Sequence, residues 1–206
     1  MHRPTEFVGS EAELREIYPA QSELVKRKVL PALDPHGRRF IELSPFACVA
    51  TFRADGGADV SPKGDAPGFV SILDDRTLFL PDRPGNNRLD SLSNVLHNPA
   101  VALIFLIPGV EETYRVQGRG RVVRDQAFLA RFAVNGKIPR TGLMIEVDEC
   151  FLHCSKALKR SHLWGEENWI ERKTLPTLGQ MIADQQGGDG VAFEVHVQES
   201  IRTRMY

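Results

Sequence analysis

The chain has 206 residues, with 26 Lys and Arg against 27 Asp and Glu and a formal net charge of −1. This length supports one well-buried core, and 42% hydrophobic with 26% charged residues are globular averages, which excludes disordered, fibrous and disulfide-scaffold classes. The balance of charge excludes a general nucleic-acid binder, whose affinity comes from a basic excess, so any cationic site must be local.

Residues 1–39 read as an N-terminal helical extension. Ser10-Glu11-Ala12-Glu13 offers a capping-box start, and Leu14, Ile17, Leu24, Val25 and Leu30 follow at loosely helical spacing. Tyr18-Pro19 divides it, and Pro31 with Asp34-Pro35-His36-Gly37 breaks the helix before a second block opens at Phe40. The first residues carry no apolar stretch of the kind a secretion signal needs, so the expected compartment is the cytoplasm. The three cysteines, Cys48, Cys150 and Cys154, fit reduced thiols there.

From residue 46 the pattern turns to strand. Residues 46–52 and 58–61 flank the turn Asp55-Gly56-Gly57 as a β-hairpin. A short apolar run covers 69–72, and 77–81 forms a strand after Asp74-Asp75, ending at Pro81. Residues 86–97 predict a helix capped by Asn86 or Asn87 and stopped by Asn98-Pro99. The run 101–107 reads as a buried strand, short of the about 20 residues a membrane span needs. Along 113–123, Tyr114, Val116, Gly118, Gly120 and Val122 alternate with Arg115, Gln117, Arg119 and Arg121; the two glycines predict a tight bend or close backbone approach. Asp125 caps a helix through Ala133, 143–148 alternates as a sixth strand, 175–183 looks helical, 186–190 is a loop, and 191–197 reads as a short strand. Six strands without a βαβ rhythm predict a mainly β fold with peripheral helices, a small antiparallel barrel.

No dinucleotide, phosphate-loop, nucleophile-elbow or zincin motif is present. Cys150-x-x-His153-Cys154 has no second ligand pair, so no metal site is expected. Three segments stand out. In Ser61-Pro62-Lys63-Gly64-Asp65-Ala66-Pro67-Gly68 a strand ends in a hydroxyl, a cation and an acid, which could meet a flat polar ligand or simply form a turn-rich loop. Pro81-Asp82-Arg83-Pro84-Gly85-Asn86-Asn87-Arg88 leads into a helix N-terminus, where free N–H groups and two guanidinium groups favour a phosphate dianion over a merely capped helix. The basic stretch 153–164, with Lys159, Arg160 and Trp164, reads by default as a solvated face; alternatively Trp164 is a stacking plate beside cations.

These three blocks, in this order, resemble the flavin-binding proteins related to pyridoxamine 5′-phosphate oxidase over residues 40–170. The resemblance implies a six-stranded antiparallel split β-barrel and a homodimer with one FMN in each of two interface clefts. By motif, Ser61, Pro62, Lys63, Gly64 and Asp65 would lie along the isoalloxazine. Pro81, Asp82, Arg83, Asn86, Asn87 and Arg88 would surround the ribityl chain and phosphate. Lys159, Arg160 and Trp164 would complete the cleft, from the second subunit. Residues 171–206 would form a C-terminal helix and tail packed on the same domain. The vitamin B6 oxidase itself has a Ser-Arg-Lys phosphate loop and an Arg- and His-bearing final strand, whereas this chain has Gly85-Asn86-Asn87-Arg88 and ends Ile201-Arg202-Thr203-Arg204-Met205-Tyr206. The expected activity is an FMN-dependent oxidoreductase on a small molecule other than pyridoxamine phosphate. The flavin carries the redox chemistry, so no side chain is assigned as catalytic; Lys63 is the nearest to a tuning role. The alternative is a non-catalytic flavin- or haem-binding carrier or sensor, with a deazaflavin in place of FMN as a lesser variant. Neither a nucleic acid nor a membrane is expected as partner.

Overall fold

The computed structural model describes residues 3–205; Met1, His2 and Tyr206, the outer ends of the expected extension and tail, lie outside them. In chain order, helices α1 (Glu11–Ile17), α2 (Glu23–Arg27) and α3 (Pro35–Leu43) precede strands β1 (Phe46–Phe52), β2 (Ala58–Gly64), β3 (Ser71–Ile72) and β4 (Thr77–Pro81). Helix α4 (Asp90–His97) follows, then β5 (Ala100–Leu106), β6 (Thr113–Val123), α5 (Gln126–Leu129), β7 (Gly142–His153) and α6 (Lys156–Ser161). The chain ends in α7 (Leu178–Gln186) and α8 (Gly190–Arg204).

The strands form one antiparallel sheet in the order β2-β1-β5-β6-β7-β4-β3, and the fold is mainly β with peripheral helices, of the split-barrel class. It has seven strands where six are expected, because Ser71 and Ile72 pair with Phe79 and Leu78 across the Asp74-Asp75 turn. A two-residue strand is too short to show alternation in sequence.

Period-two alternation builds the core. Ala47, Val49, Val101, Leu103, Phe105, Tyr114, Val116, Leu143, Ile145 and Val147 turn to one face of the sheet and are buried with Phe40 and Ile41 of α3. Helix α3 starts where the sequence reading places a break. Asp34 is its N-cap, accepting the Gly37 N–H at 2.7 Å, and Pro35 occupies the first turn, where its missing N–H costs nothing. The helix thus crosses residue 39 and packs Gly37 directly against the Tyr114 ring.

The glycines of β6 act by close approach. The β6–β7 register shifts between Gln117 and Gly118, and a side chain at Gly118 would overlap the Glu146 carbonyl oxygen on β7. A methyl at Gly120 would lie 3.0 Å from Leu143 and Val101 and 3.3 Å from Val95, so Gly120 admits α4 onto the sheet.

Two helices differ from the sequence reading. The Asn86 side chain accepts the Arg88 N–H at 3.1 Å, forming a local turn instead of a cap, and α4 starts only at Asp90, after Leu89 at φ 61°. Residues 191–197, expected as a strand, belong to α8. Asp189 caps the Val191 and Ala192 N–H groups, and Gly179 of α7 sits directly against Glu194.

Gly118→Ala is expected to destabilise by about 3 kcal/mol because backbone must move, and Gly120→Ala by about 1–2 kcal/mol because side-chain methyls can give. Chemical-denaturation midpoints of both variants check the order.

Candidate functional site

Strand β2 is an edge of the sheet, and an edge tolerates Pro62, which cannot donate to a ladder. The strand therefore runs on through Gly64, past the end expected at Ser61. Asp59, Ser61 and Lys63 stand opposite Thr51, Val49 and Ala47, all fully buried, and so face the same side as the core. Beyond the core's edge that side opens into a cleft of about 880 Å³, within the range of small-molecule sites. A polar relay steadies its floor: Asn94 Nδ2 of α4 donates to Thr51 Oγ1 at 3.0 Å, and Thr51 Oγ1 donates to Asp59 Oδ2 at 3.4 Å.

The second segment supplies the facing rim. Arg83 Nε donates to Asp65 Oδ2 at 2.7 Å while Nη1 donates to the Phe132 carbonyl at 2.9 Å, so one guanidinium ties together three chain segments. The Asp65 carboxylate is only 5% exposed, and a pair this buried cannot be broken from one side without leaving a stranded charge. Arg88 pairs with Asp90 at 2.7 Å in solvent, where such a pair opens at little cost. Asp82, half-buried, has its carboxyl held above the usual range by burial, with Lys63 pulling in the opposite direction. At the start of α4 the N-cap position is Leu89, and no side-chain cap hydrogen bond is formed there among the described residues.

The third rim is residues 134–140. Beyond the Pro81–Gly142 pair of the β4–β7 ladder, Asp82 N–H donates to the Thr141 carbonyl at 3.0 Å, and the two chains then diverge around the cleft. Val134 and Lys137 exchange backbone hydrogen bonds at 3.1 and 2.9 Å about Asn135 and Gly136, both at positive φ. Lys137, Arg140, and Thr203 and Arg204 from the end of α8 line the cleft with the segments above.

Of the residues singled out from sequence, Ser61, Pro62, Lys63, Asp82, Arg83, Asn86, Asn87 and Arg88 come together in this cleft. Gly64, Asp65 and Pro81 belong to its frame and do not line it. Lys159, Arg160 and Trp164 are not brought there within one chain. Lys159 pairs with Glu111 at 3.2 Å, and Trp164 Nε1 donates to the Val110 carbonyl at 2.8 Å, both at the β5–β6 turn. Asp59, Lys137, Arg140 and Arg204 are additional lining residues. The Asn135-Gly136 dipeptide was the one sequence signal for the third rim, since it marks a tight hairpin with Lys137 at its exit.

The HupZ protein of Group A Streptococcus superposes with a TM-score of 0.48 at 18% identity, over 58% of this chain and 93% of its own. A Lactobacillus delbrueckii protein provisionally described as a pyridoxamine 5′-phosphate oxidase gives 0.48 at 19%, over 59% and 95%. An F420 reductase gives 0.41 at 21%, over 58% and 98%. No curated protein matches the chain. The family model described as pyridoxamine 5′-phosphate oxidase matches residues 33–154, from the residue before the α3 cap to the residue after β7. With that match over more than half of its length, and with the split-barrel sheet inside it, the chain belongs to the pyridoxamine 5′-phosphate oxidase family.

Proposed function

We propose that this protein is an FMN-binding oxidoreductase that works as a homodimer on a small molecule. The observation that carries the reading is the cleft, where Ser61, Lys63, Asp82, Asn86 and Arg88 converge from two segments in a chain of this family. FMN joins a dianionic phosphate to a flat, mainly apolar ring, and the cleft's residues suit both ends. At one end are Arg88, held only by a solvent-exposed pair, and the first-turn N–H groups of α4. At the other, Ser61 and Lys63 offer a hydroxyl and a cation to the ring edge, and positive charge there favours an anionic reduced ring. When bound, FMN would supply the hydride or electron transfer; the protein's part is to hold, orient and tune it.

The dimer is supported by the outer face of the sheet. Cys48, Ile104, Arg115 and Phe151 form one cross-strand row on that face, flanked by exposed Phe46, Phe52 and Val60. An apolar sheet face of this extent calls for a cover. Helices α1 and α2 bury no residue and are too short to stand alone, yet Leu30 anchors them beside β7 through two backbone bonds to Cys150 at 2.9 and 2.8 Å.

The visible spectrum of the purified protein tests the reading. Oxidised-flavin absorption that a nicotinamide donor bleaches and air restores is expected. A haem Soret band, or no flavin bound on titration, would overturn it. Arg88→Ala is expected to weaken FMN binding about tenfold with the dimer intact, as loss of one charge-assisted contact implies, in fluorescence titration and light scattering.

Asp82 gives a pH test. Its folded pKa lies above the unfolded value, so its contribution to stability is most favourable at acid pH and is lost as pH rises through the folded value. Above the folded value the cost of a desolvated carboxylate is fully present. Asp82→Asn should therefore melt above wild type at pH 7, with the gap closing as pH falls into the ordinary carboxylate range; parallel pH profiles would contradict this.

A further inference from the structure

We infer that Arg140, on the rigid loop 134–140, is a phosphate-binding residue of the cleft and grips the monoester end of the ligand from the rim opposite Arg88. The inference deepens the flavin reading and rests on it for the ligand's identity, though not for the anion chemistry.

The charge pattern of the cleft leads to it. Both arginines of the 81–88 segment already have carboxylate partners: Arg83 is committed to nearly buried Asp65 and to the Phe132 carbonyl, and Arg88 meets Asp90. The cleft's carboxylates are likewise engaged, Asp59 by the Thr51 hydroxyl, Asp90 by Arg88, and Asp82 by the field of Lys63. Arg140 forms no ion pair among the described residues and lines the same cleft. A guanidinium without a counter-charge, facing a cavity, is where an incoming dianion gains most, because no existing pair must be broken.

Strand register brings Arg140 there from 57 positions beyond Arg83 in the chain. Pro81 pairs with Gly142 and Asp82 N–H reaches the Thr141 carbonyl, so Arg140 lies one residue beyond the last contact between the two segments, where they part around the cleft. The loop is also preorganised. Val134 and Lys137 close a two-residue turn with reciprocal hydrogen bonds, Asn135 and Gly136 hold φ of 50° and 75°, and Pro139 is buried beside Arg140. A cation on such a loop loses little freedom on binding, which distinguishes it from a surface arginine on a flexible tip.

Full-length apoprotein, as wild type, Arg140→Ala and Arg140→Lys, is titrated with FMN and with riboflavin, which lacks the phosphate. FMN affinity should fall about tenfold or more in Arg140→Ala and recover in part in Arg140→Lys, while riboflavin affinity stays the same in all three. Unchanged FMN binding, or an equal loss for FMN and riboflavin, overturns the assignment. The same proteins are melted with and without inorganic phosphate. If wild type binds no flavin, the flavin reading fails by itself, and the assignment then stands only if phosphate raises the melting temperature of wild type and not of Arg140→Ala. Equal protection of both, or protection of neither, overturns it.

Discussion

Strand β7 is paired along both of its edges, and the other parts of the molecule take their positions from it. Its long ladder with β6 fixes the core side of both strands, and the register shift at Gln117/Gly118 is absorbed where Gly118 lets the Glu146 carbonyl approach. Its shorter ladder with β4 stops at Pro81 and Gly142. Gly142 must be small there because a side chain would enter the Phe79 ring, which packs edge-on to Phe128 at 4.9 Å and tilted against Phe132 at 4.4 Å. The cleft exists because the two chains part immediately after this crowded point, one towards α4 and the other back towards α5.

Electrostatics then separates residues that build the cleft from residues left to act in it. The Asp65–Arg83 pair is sheltered and also binds the Phe132 carbonyl, so it holds the β2 exit, the β4 exit and the turn after α5 in one arrangement. Such a pair defines geometry more than it adds stability, since desolvation offsets much of the attraction. The Arg88–Asp90 pair lies in solvent and can rearrange. Two arginines five residues apart in the same loop thus carry different duties, set by burial alone. In a chain with a net charge of −1, the cleft is locally positive, because Lys63, Arg83, Arg88, Lys137, Arg140 and Arg204 line it against the carboxylates of Asp59, Asp82 and Asp90.

Three strands were legible in the sequence to the residue, 46–52, 77–81 and 113–123 being β1, β4 and β6 as read, while 58–61, 101–107 and 143–148 miss the bounds of β2, β5 and β7. In β1 and β6 one face meets the core and the other does not, and that difference is written in every second side chain, whereas β4 is buried on both faces from Leu78 to Pro81. Residues 61–63 and 82–88 were legible as candidates, and they do line one cleft, because chemistry and turn residues are dense there. The failures have equally physical causes. Val191, Val195 and Val197 imitate a strand at period two, yet the Asp189 cap, the Glu194–Gln198 and Glu199–Arg202 contacts and the Gly179 approach hold the segment as a helix. Asn86 looks like a cap, but its side chain is satisfied two residues away.

What the sequence determined by itself was the antiparallel mainly β class, its buried faces, and two of the three rims of the cleft, because each is encoded by neighbours in the chain. Only the tertiary structure decided which cations are already taken and which face the cavity. Arg140 and Arg204 reach the cleft through a ladder ending and a helix end, Lys159 and Trp164 are drawn to the β5–β6 turn instead, and Arg160 does not line the cleft. Charge pairing depends on distances across the fold, and no local pattern of residues records them.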